Sequence, residues 1–291
     1  MNKIPKIAHF YWGNQKMSFL RFLTLFSFIK YNPEWEVVLH TSSLNDKEPE
    51  FRKTDFHRYD VLDYKNEKDY REFLPSEIKI QEHDLNEYFA YSDKLSEANK
   101  SDFIGWKILS SVGGVWSDMD ILFVKSLKDS QIQFENNDTF VCFDPRISNP
   151  NHPRPSTPIG FLMASENNAL YQEIFKNSQN AFLEDSYQSL GSEIMSNTLI
   201  SLENCKNKFP NLKIQNLDPD LFYKYNYLQI ENIFILDKFS ELMESPAIGI
   251  HWYGGHETSS LYNNFYDHAN YNSKWQSTLT KAIDLLDLKL T

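Results

Sequence analysis

The sequence predicts an α/β fold with a Rossmann-like mixed sheet flanked by helices, and the first forty residues provide the main observation. Residues 4–13 predict a strand that Pro5 opens and Gly13 closes. Apolar side chains recur at helical spacing over residues 19–29. Asn32-Pro33 ends that helix, and residues 35–40 predict a second strand. A β-α-β start of this kind is typical of a doubly wound sheet.

The rest of the chain continues the alternation of strands and helices. Residues 46–99 are rich in charge and tyrosine and predict a small helical insertion beside the sheet. A helix over about 92–112 is expected to end at Gly113-Gly114, before a strand over 115–124. Further strands are predicted at 139–143, 159–164, 212–215, 233–236 and 248–252, with helices at 168–177, 192–203 and 275–290. We therefore expect a single domain over residues 1–291, with the insertion at about 46–99 and a C-terminal amphipathic helix at about 275–290.

Composition and charge narrow the classes of function. The formal net charge of −11 disfavours a general binder of nucleic acid or anionic lipid. The two cysteines, Cys142 and Cys205, form no pattern typical of a zinc site or a disulfide framework. The most apolar early stretch, residues 19–29, is short and contains Arg21, so neither a membrane span nor a signal peptide is predicted. The expected location is the cytoplasm, and weak peripheral contact with the inner face of the membrane stays open.

Asp118 and Asp120 are the first candidate site residues. Alternate residues of an extended strand share a face, so the two carboxylates would point the same way, about 7 Å apart. Carboxylates held together repel each other unless a cation lies between them. Hard oxygen ligands suit Mg²⁺ or Mn²⁺ and leave positions for phosphate oxygens and water. An isolated Asp-x-Asp also occurs on many solvated loops, so the preceding residues matter.

The stretch from Ser101 to Asp120 resembles the DXD signature of glycosyltransferase family 32, which runs Ser-Asp, then Gly-Gly, a hydrophobic residue, an aromatic residue and Asp-x-Asp. Residues 4–13, IPKIAHFYWG, are similar to the IPKIIHYIWFG start of that family. The likeness extends over residues 95–127 and, more loosely, to 159–164 and 191–193. The family includes galactosyl-, N-acetylglucosaminyl- and mannosyltransferases and bacterial capsule and lipooligosaccharide enzymes. The clostridial glucosylating toxins resemble it distantly.

The resemblance implies a GT-A fold and a hexosyltransferase. The donor would be a nucleotide-diphosphate sugar, with a UDP-sugar favoured, and the cofactor would be Mn²⁺ or Mg²⁺. The acceptor would be a glycan or lipid-linked saccharide, modified with retention of configuration during bacterial surface polysaccharide (capsule or lipopolysaccharide) synthesis. No nucleic-acid partner is expected. Three alternatives stay open: a toxin-like effector that glycosylates protein, a hydrolase with paired carboxylates, and a non-catalytic nucleotide- or carbohydrate-binding module.

The resemblance also implies metal-binding roles. Asp120 would be the direct metal ligand and Asp118 would bind the ribose or a metal-bound water, and both are catalytic candidates. His251, on a late strand, would be a third metal ligand, with a core histidine as the alternative. The Gly254-Gly255 pair would let the following loop fold over the pyrophosphate. Trp252 and His256, on the same late segment, are weaker candidates, and Glu193 and Asp220 are acidic candidates for contacts with donor or acceptor.

Donor-binding roles follow from the same resemblance. An aromatic residue at the end of the first strand would stack on the base; Trp12 is favoured over Tyr11, with a core position for Trp12 as the alternative. Asp102 would bind sugar hydroxyls, and Trp106 lies one turn further on the same helical face. Family members carry an arginine three residues after this aspartate, where this chain has Gly105. Cations that could replace that arginine are Lys107, Lys100 and Arg154.

Overall fold

A computed structural model describes residues 3–13, 15–42, 64–89, 94–149, 152–183, 186, 188–271 and 276–290. The strands are β1 (Ile7–Tyr11), β2 (Glu36–Ser42), β3 (Lys79–His83), β4 (Gly114–Ser117), β5 (Ile121–Phe123), β6 (Thr139–Val141), β7 (Asp144–Asn149), β8 (His152–Ser156), β9 (Phe161–Ala164), β10 (Ile214–Asn216) and β11 (Gly249–His251). The helices are α1 (Phe19–Tyr31), α2 (Glu97–Ser111), α3 (Ala169–Ser178), α4 (Ser192–Thr198), α5 (Leu202–Lys208), α6 (Glu231–Phe234), α7 (Phe239–Glu244), α8 (Glu257–Phe265) and α9 (Thr278–Asp284). In these parts of the chain no helix is both long enough and apolar enough to cross a membrane.

Seven of the strands form one mixed sheet in the order β3-β2-β1-β4-β9-β6-β10. Strand β9 runs antiparallel to both of its neighbours, and the other pairs are parallel. Strands β5 and β11 form a separate antiparallel pair, and β7 and β8 form a hairpin. The predicted α/β class, with a mixed sheet flanked by helices, is confirmed.

The sheet separates two apolar cores, because side chains alternate between its faces. Along β9, Phe161 and Met163 belong to one core, whereas Leu162 and Ala164 belong to the other. Helix α1 packs in the first core, and α2 and α3 pack in the second. Both faces of the sheet are therefore covered, as parallel strands require.

Helix α1 begins at Phe19 because the side chain of Ser18 accepts a hydrogen bond from the Arg21 backbone N–H. It ends at Tyr31, and Asn32 donates its backbone N–H to the Phe28 carbonyl. The predicted helix is confirmed. Its first turn contains Arg21, a charged residue whose side chain is nevertheless buried beside apolar neighbours.

Helix α2 leads directly into β4 through two glycines. Gly113 and Gly114 have φ angles of +72° and +95°, which non-glycine residues rarely adopt. A Cβ on Gly114 would also lie 2.4 Å from the Ile7 carbonyl oxygen of β1. The turn therefore places β4 beside β1 and directs the end of β4 toward the predicted Asp-x-Asp site.

The helical insertion predicted at residues 46–99 is wrong for the part that the structure describes. Strand β3 lies in this range and extends the sheet at its edge, and α2 begins only at Glu97. A short 3-10 turn at Tyr70–Phe73 precedes β3, and another at Leu85–Glu87 lies between β3 and α2. Four of the five β3 residues are exposed, so the strand has no apolar alternation to reveal it. Residues 46–63 and 90–93 lie outside the described residues.

Three other elements differ from their predictions. The strand predicted at 233–236 is helix α6, a short apolar run for which periodicity does not separate the two structures. The helix predicted at 192–203 is α4 followed by α5, because Ser201 caps a new helix. The C-terminal helix spans only Thr278–Asp284 in the described part, beginning after the Ser277 cap. The division of the chain into domains stays a prediction.

Candidate active site

The Asp-x-Asp pair lies in the turn between β4 and β5. The Asp118 backbone N–H donates to the Gly160 carbonyl at 2.8 Å, which extends the β4–β9 pairing by one residue. The Met119 and Asp120 carbonyls then accept hydrogen bonds from the Thr24 hydroxyl and the Trp252 N–H. The continuous strand predicted over 115–124 is therefore wrong, because other elements bind this turn and β5 pairs with β11 instead.

Asp118, Asp120 and His251 converge although one of them lies more than 130 positions further along the chain. His251 Nε2 lies 3.2 Å from Asp120 Oδ1 and 4.0 Å from Asp118 Oδ2. One ligand atom from each of the three residues lies within 4.8 Å of the other two. The pairing of β5 with β11 produces this arrangement, since it aligns His251 with Ile121, the residue after Asp120.

Asp120 is held more firmly than Asp118. Its Oδ2 atom accepts a hydrogen bond of 2.7 Å from the Gly254 N–H and lies 3.8 Å from Nη1 of Arg21. Its Oδ1 atom faces His251. The side chain of Asp118 is 32% exposed, against 13% for Asp120, so Asp118 is the more accessible carboxylate. The chain thus fixes one oxygen of Asp120 and directs the other into the cluster.

The charges of the three groups depend on one another. Burial and the neighbouring Asp120 charge raise the pKa of the Asp118 carboxyl, although His251 opposes this. Burial also acts to raise the pKa of Asp120, but His251, Arg21 and the Gly254 N–H hold it below its usual value. Burial acts to lower the pKa of His251, but the two carboxylates raise it above its usual value. Asp120 therefore stays ionised, and a cation entering the cluster would compete with a proton.

The side chains fit a divalent cation. Two carboxylates and an imidazole form a mixed oxygen and nitrogen ligand set that suits first-row divalent metals, with oxygen favouring Mg²⁺ and Mn²⁺. Asp118, Asp120 and His251 would hold the ion through Oδ2, Oδ1 and Nε2, the atoms that face one another. His251 Nδ1 makes no hydrogen bond with the described residues. These are the three metal ligands that the sequence predicts, and the structure brings them together.

Arg21 is a site residue that the sequence reasoning missed. Its guanidinium lies over the rings of Trp12 and Trp252, with its central carbon 5.2 Å and 4.5 Å from the ring centroids. The same group lies beside Asp120, and a Cβ on Gly254 would clash with its Nη2 atom. A signal did exist, because Arg21 interrupts the apolar stretch of α1, and a buried arginine requires a partner.

Gly160 and Tyr223 were also missed. A Cβ built on Gly160 would lie 2.9 Å from Asp118 Oδ2, 3.0 Å from the Tyr223 hydroxyl and 3.2 Å from His251 Nε2. Burial and nearby charges, those of Cys142 and Asp118 first, raise the pKa of the Tyr223 hydroxyl well above its usual value. Gly160 lies in the Ile-Gly-Phe segment that resembles the family pattern, but no signal in the sequence connects Tyr223 to the site.

The two aromatic residues predicted to stack on a base are buried. Trp12 is 5% exposed, donates its indole N–H to the Gln15 carbonyl and packs against Arg21. Tyr11 is also 5% exposed, and its hydroxyl bonds to Ser42 and Glu97. Neither ring presents an accessible face in this conformation, so a stacking role for either stays a prediction.

Asp102 lies at the edge of the cluster, and Trp106 does not. The carboxylate of Asp102 is close to Gly191, where a Cβ would clash with its Oδ2 atom. Burial and the charge of Asp118 raise its pKa well above the usual value. Trp106 is 1% exposed and donates its indole N–H to the Leu190 carbonyl within the second core. Its predicted contact with the donor would need a different arrangement of this region.

The glycine that replaces the family arginine has a packing explanation. A Cβ on Gly105 would lie 2.8 Å from the indole ring of Trp116, so a larger side chain has no room there. Lys100, one suggested replacement, is buried in an ion pair with Glu97. Lys107 lies over the ring of Tyr88. The side chain of Arg154 lies outside the described residues, and Arg21 is the cation that lies beside Asp120.

The weaker candidates occupy varied positions. Trp252 is buried against Arg21 and contributes its backbone N–H to the turn. His256 caps α8, where its Nδ1 accepts from the Thr258 N–H. Glu193 is exposed and accepts a hydrogen bond from Ser186. Asp220 pairs with Arg146 and Lys224. Of these, the structure brings Trp252 to the cluster.

Comparison with known proteins identifies the class of this site. Residues 20–138, less than half of the chain, match a family described as the glycosyltransferase sugar-binding region containing a DXD motif. The matched range includes Arg21, Asp118 and Asp120. The chain is a glycosyltransferase, and the part of it that matches contains the DXD motif. The predicted enzyme class is confirmed, and it replaces the hydrolase and binding-module alternatives. No curated protein matches the sequence.

Several solved structures show a weak overall likeness. The PaToxG glycosyltransferase has a TM-score of 0.48 and 15% identity, over 72% of this chain and 74% of its own. The galactosyltransferase LgtC, in complex with donor and acceptor sugar analogues, has 0.43 and 9%, over 97% and 95%. The glycosyltransferase GlyE of Streptococcus pneumoniae TIGR4 has 0.46 and 11%, over 98% of this chain and 61% of its own. With TM-scores below 0.5, these likenesses add no argument about function.

Proposed function

We propose that this glycosyltransferase moves a sugar from a nucleotide-diphosphate sugar, with a UDP-sugar favoured, to a glycan or lipid-linked saccharide acceptor. The observation that carries the proposal is the convergence of Asp118, Asp120 and His251, two of which lie in the matched sugar-binding region. A cluster of this composition suits Mn²⁺ or Mg²⁺ and, through the cation, the diphosphate of such a donor.

The chain's own residues would divide the work at this cluster. Asp120 is ionised and oriented by Gly254 and Arg21, so it offers Oδ1 without having to reorganise. Asp118 is more accessible and can also meet the ribose or a bound water. Bound here, a divalent cation supplies a Lewis acid that stabilises negative charge on the departing diphosphate. The half-buried Asp102 carboxylate is a proposed partner for donor-sugar hydroxyls.

The finer parts of the proposal rest on the family resemblance. These finer parts are retention of configuration, a role in bacterial surface polysaccharide synthesis and activity at the cytoplasmic face of a membrane. Sugar transfer passes through an oxocarbenium-like transition state. The diphosphate gains negative charge as it departs, so this charge must be stabilised. A protein acceptor, as in a toxin-like effector, is the alternative that an acceptor screen would identify.

A screen of nucleotide-sugars for metal-dependent hydrolysis tests the proposal, since many transferases slowly cleave their donor without an acceptor. We expect one donor to be hydrolysed with Mn²⁺ or Mg²⁺ and not after chelation by EDTA. Asp120→Asn should reduce turnover by about 100-fold or more, as for loss of a group that stabilises transition-state charge. Asp129→Asn, an exposed aspartate in a nearby short helix, is the matched control and should stay within twofold. Turnover of no donor by the wild-type protein would contradict the proposal.

A further inference from the structure

Tyr223 has a buried hydroxyl beside the Asp118–Asp120–His251 cluster that makes no hydrogen bond with any described residue. The residue is 4% exposed, and its ring centroid lies 5.2 Å from that of His251. Buried hydroxyls nearly always have a partner. Two nearby tyrosines follow this rule, since Tyr225 and Tyr253 donate to the Lys238 and Tyr225 carbonyls. The Tyr223 hydroxyl therefore calls for an explanation.

The position of Gly160 shows where the hydroxyl points. A Cβ on this glycine would lie about 3 Å from three polar atoms: the Tyr223 hydroxyl, Asp118 Oδ2 and His251 Nε2. These atoms come from three separate parts of the chain, namely the turn after β4, strand β11 and the segment after the 3-10 helix Pro219–Leu221. They surround one point that Gly160, lacking a side chain, does not fill. A ligand atom near that point would lie within hydrogen-bonding reach of the hydroxyl and next to two proposed metal ligands.

Chemistry limits what that ligand atom can be. It must accept a hydrogen bond from the phenol hydroxyl and lie beside two groups that would hold a divalent cation. An anionic oxygen meets both conditions, whereas a neutral sugar hydroxyl is a weaker acceptor and a weaker metal ligand. In a nucleotide-sugar, the anionic oxygens are those of the diphosphate.

We propose that the Tyr223 hydroxyl donates a hydrogen bond to a diphosphate oxygen of the nucleotide-sugar, and that Gly160 is glycine to leave room for that oxygen. This inference rests on the proposed function. The Tyr223 hydroxyl would thus be an uncharged hydrogen-bond donor to the diphosphate, the group on which negative charge develops. It also explains why the protein keeps an unbonded buried hydroxyl, which costs stability until a ligand binds.

Tyr223→Phe tests the inference by separating stability from ligand binding, with Tyr225→Phe as the matched control. Without ligand, Tyr223→Phe should melt no lower than the wild-type protein, because the lost hydroxyl has no partner. With Mn²⁺ present, its affinity for UDP or GDP, whichever the wild-type protein binds by calorimetry, should fall about 10- to 100-fold, the range for a hydrogen bond to a charged group. Tyr225→Phe should lose stability, since its hydroxyl is bonded, and keep wild-type nucleotide affinity.

A second variant tests the same point independently. Gly160→Ala places a methyl group where the ligand oxygen is proposed to lie, and the backbone there is not in the left-handed region. It should weaken nucleotide binding at least as much as Tyr223→Phe.

Three results would overturn the inference. If Tyr223→Phe binds the nucleotide and hydrolyses the donor like the wild-type protein, the inference fails and the proposed function stands. If Tyr223→Phe lowers the melting temperature of the ligand-free protein as Tyr225→Phe does, the role of the hydroxyl is structural. If the wild-type protein binds neither nucleotide and hydrolyses no donor, both proposals fail together.

Discussion

Protonation of a buried chain of three histidines should make the folded state lose stability as the pH falls below about 6.5. His9 Nδ1 lies 2.9 Å from His40 Nε2, and His40 Nδ1 lies 2.8 Å from His83 Nε2. The other nitrogen of His9, Nε2, lies 3.1 Å from the Gly113 carbonyl, which can only accept. If each ring is neutral and donates through Nε2, every contact is satisfied. A further proton on His9 or His40 would set two N–H groups against each other.

The size of the effect follows from the pKa values. Burial lowers the pKa of His9 to about 4, that of His40 to about 2 and that of His83 to about 4, and neighbouring positive groups contribute for His40 and His83. In the unfolded chain each histidine titrates near 6.5, so below this pH the unfolded state binds more protons than the folded state. Stability is then lost as the pH falls from 6.5 toward 4. At pH 5.5 the loss relative to pH 7 is about 1 kcal/mol for each histidine and about 3 kcal/mol for the three.

Urea unfolding of the wild-type protein and of His83→Gln at pH 7.0 and pH 5.5 isolates this loss, because groups with raised pKa values, such as His251 and Asp102, act in the opposite direction and contribute equally to both proteins. A loss of about 3 kcal/mol is a large part of the stability of a typical domain. His83→Gln, which removes the terminal histidine and keeps a donor, should reduce the pH-dependent loss by about one third. Gln81→Ala, on the exposed part of the same strand, should change the stability equally at both pH values. A His83→Gln variant that loses as much stability as the wild-type protein between the two pH values would refute the reasoning.

Two further substitutions test the surroundings of the cluster. Arg21→Met keeps much of the buried volume between Trp12 and Trp252 but removes the positive charge beside Asp120. Because the two carboxylates then attract the cation without an opposing charge, we expect the Mn²⁺ concentration for half-maximal donor hydrolysis to fall about 10-fold. An unchanged metal titration would show that Arg21 has only a packing role. Gly105→Ala forces a methyl group against the Trp116 ring and should cost about 1–3 kcal/mol in urea unfolding, whereas a neutral result would mean that the ring can shift.

The sequence predicted the parts of the fold that depend on local patterns. The apolar spacing of α1, the glycines after α2 and the β-α-β start each correspond to an observed element. Strand β3 could not be predicted this way, because an exposed edge strand has no apolar face and is defined by its backbone pairing with β2. The same limit explains why the turn at 118–120 was predicted as strand. Its carbonyls bond to groups distant in sequence, including the Trp252 N–H.

The candidate site also contains some residues that the sequence could predict and others that it could not. Asp118 and Asp120 could be predicted because their spacing and the preceding glycines form a local motif, and His251 because the family resemblance implies a metal ligand on this late strand. Gly160 and Tyr223 could not, because each matters only through atoms supplied by other segments. A glycine in a strand and a tyrosine in an apolar segment are common, and their meaning here depends on the tertiary structure.

Arg21 determines the charge of the site, which explains why a buried cation lies beside a metal ligand. Ionised Asp118 and Asp120 together carry two negative charges, and Arg21 offsets one of them. Without Arg21, a dication held by the two carboxylates would be fully neutralised, and a diphosphate would meet no net positive charge. With Arg21 in place, the loaded cluster keeps one positive charge for an anionic donor. The resemblance in sequence implies an arginine at the position of Gly105, which Trp116 blocks here, so we infer that Arg21 supplies from α1 the positive charge that this chain lacks on α2. Arg21→Met should therefore weaken the binding of UDP in the presence of saturating Mn²⁺ more than it weakens the binding of uridine, and equal effects on both in calorimetry would contradict this charge argument.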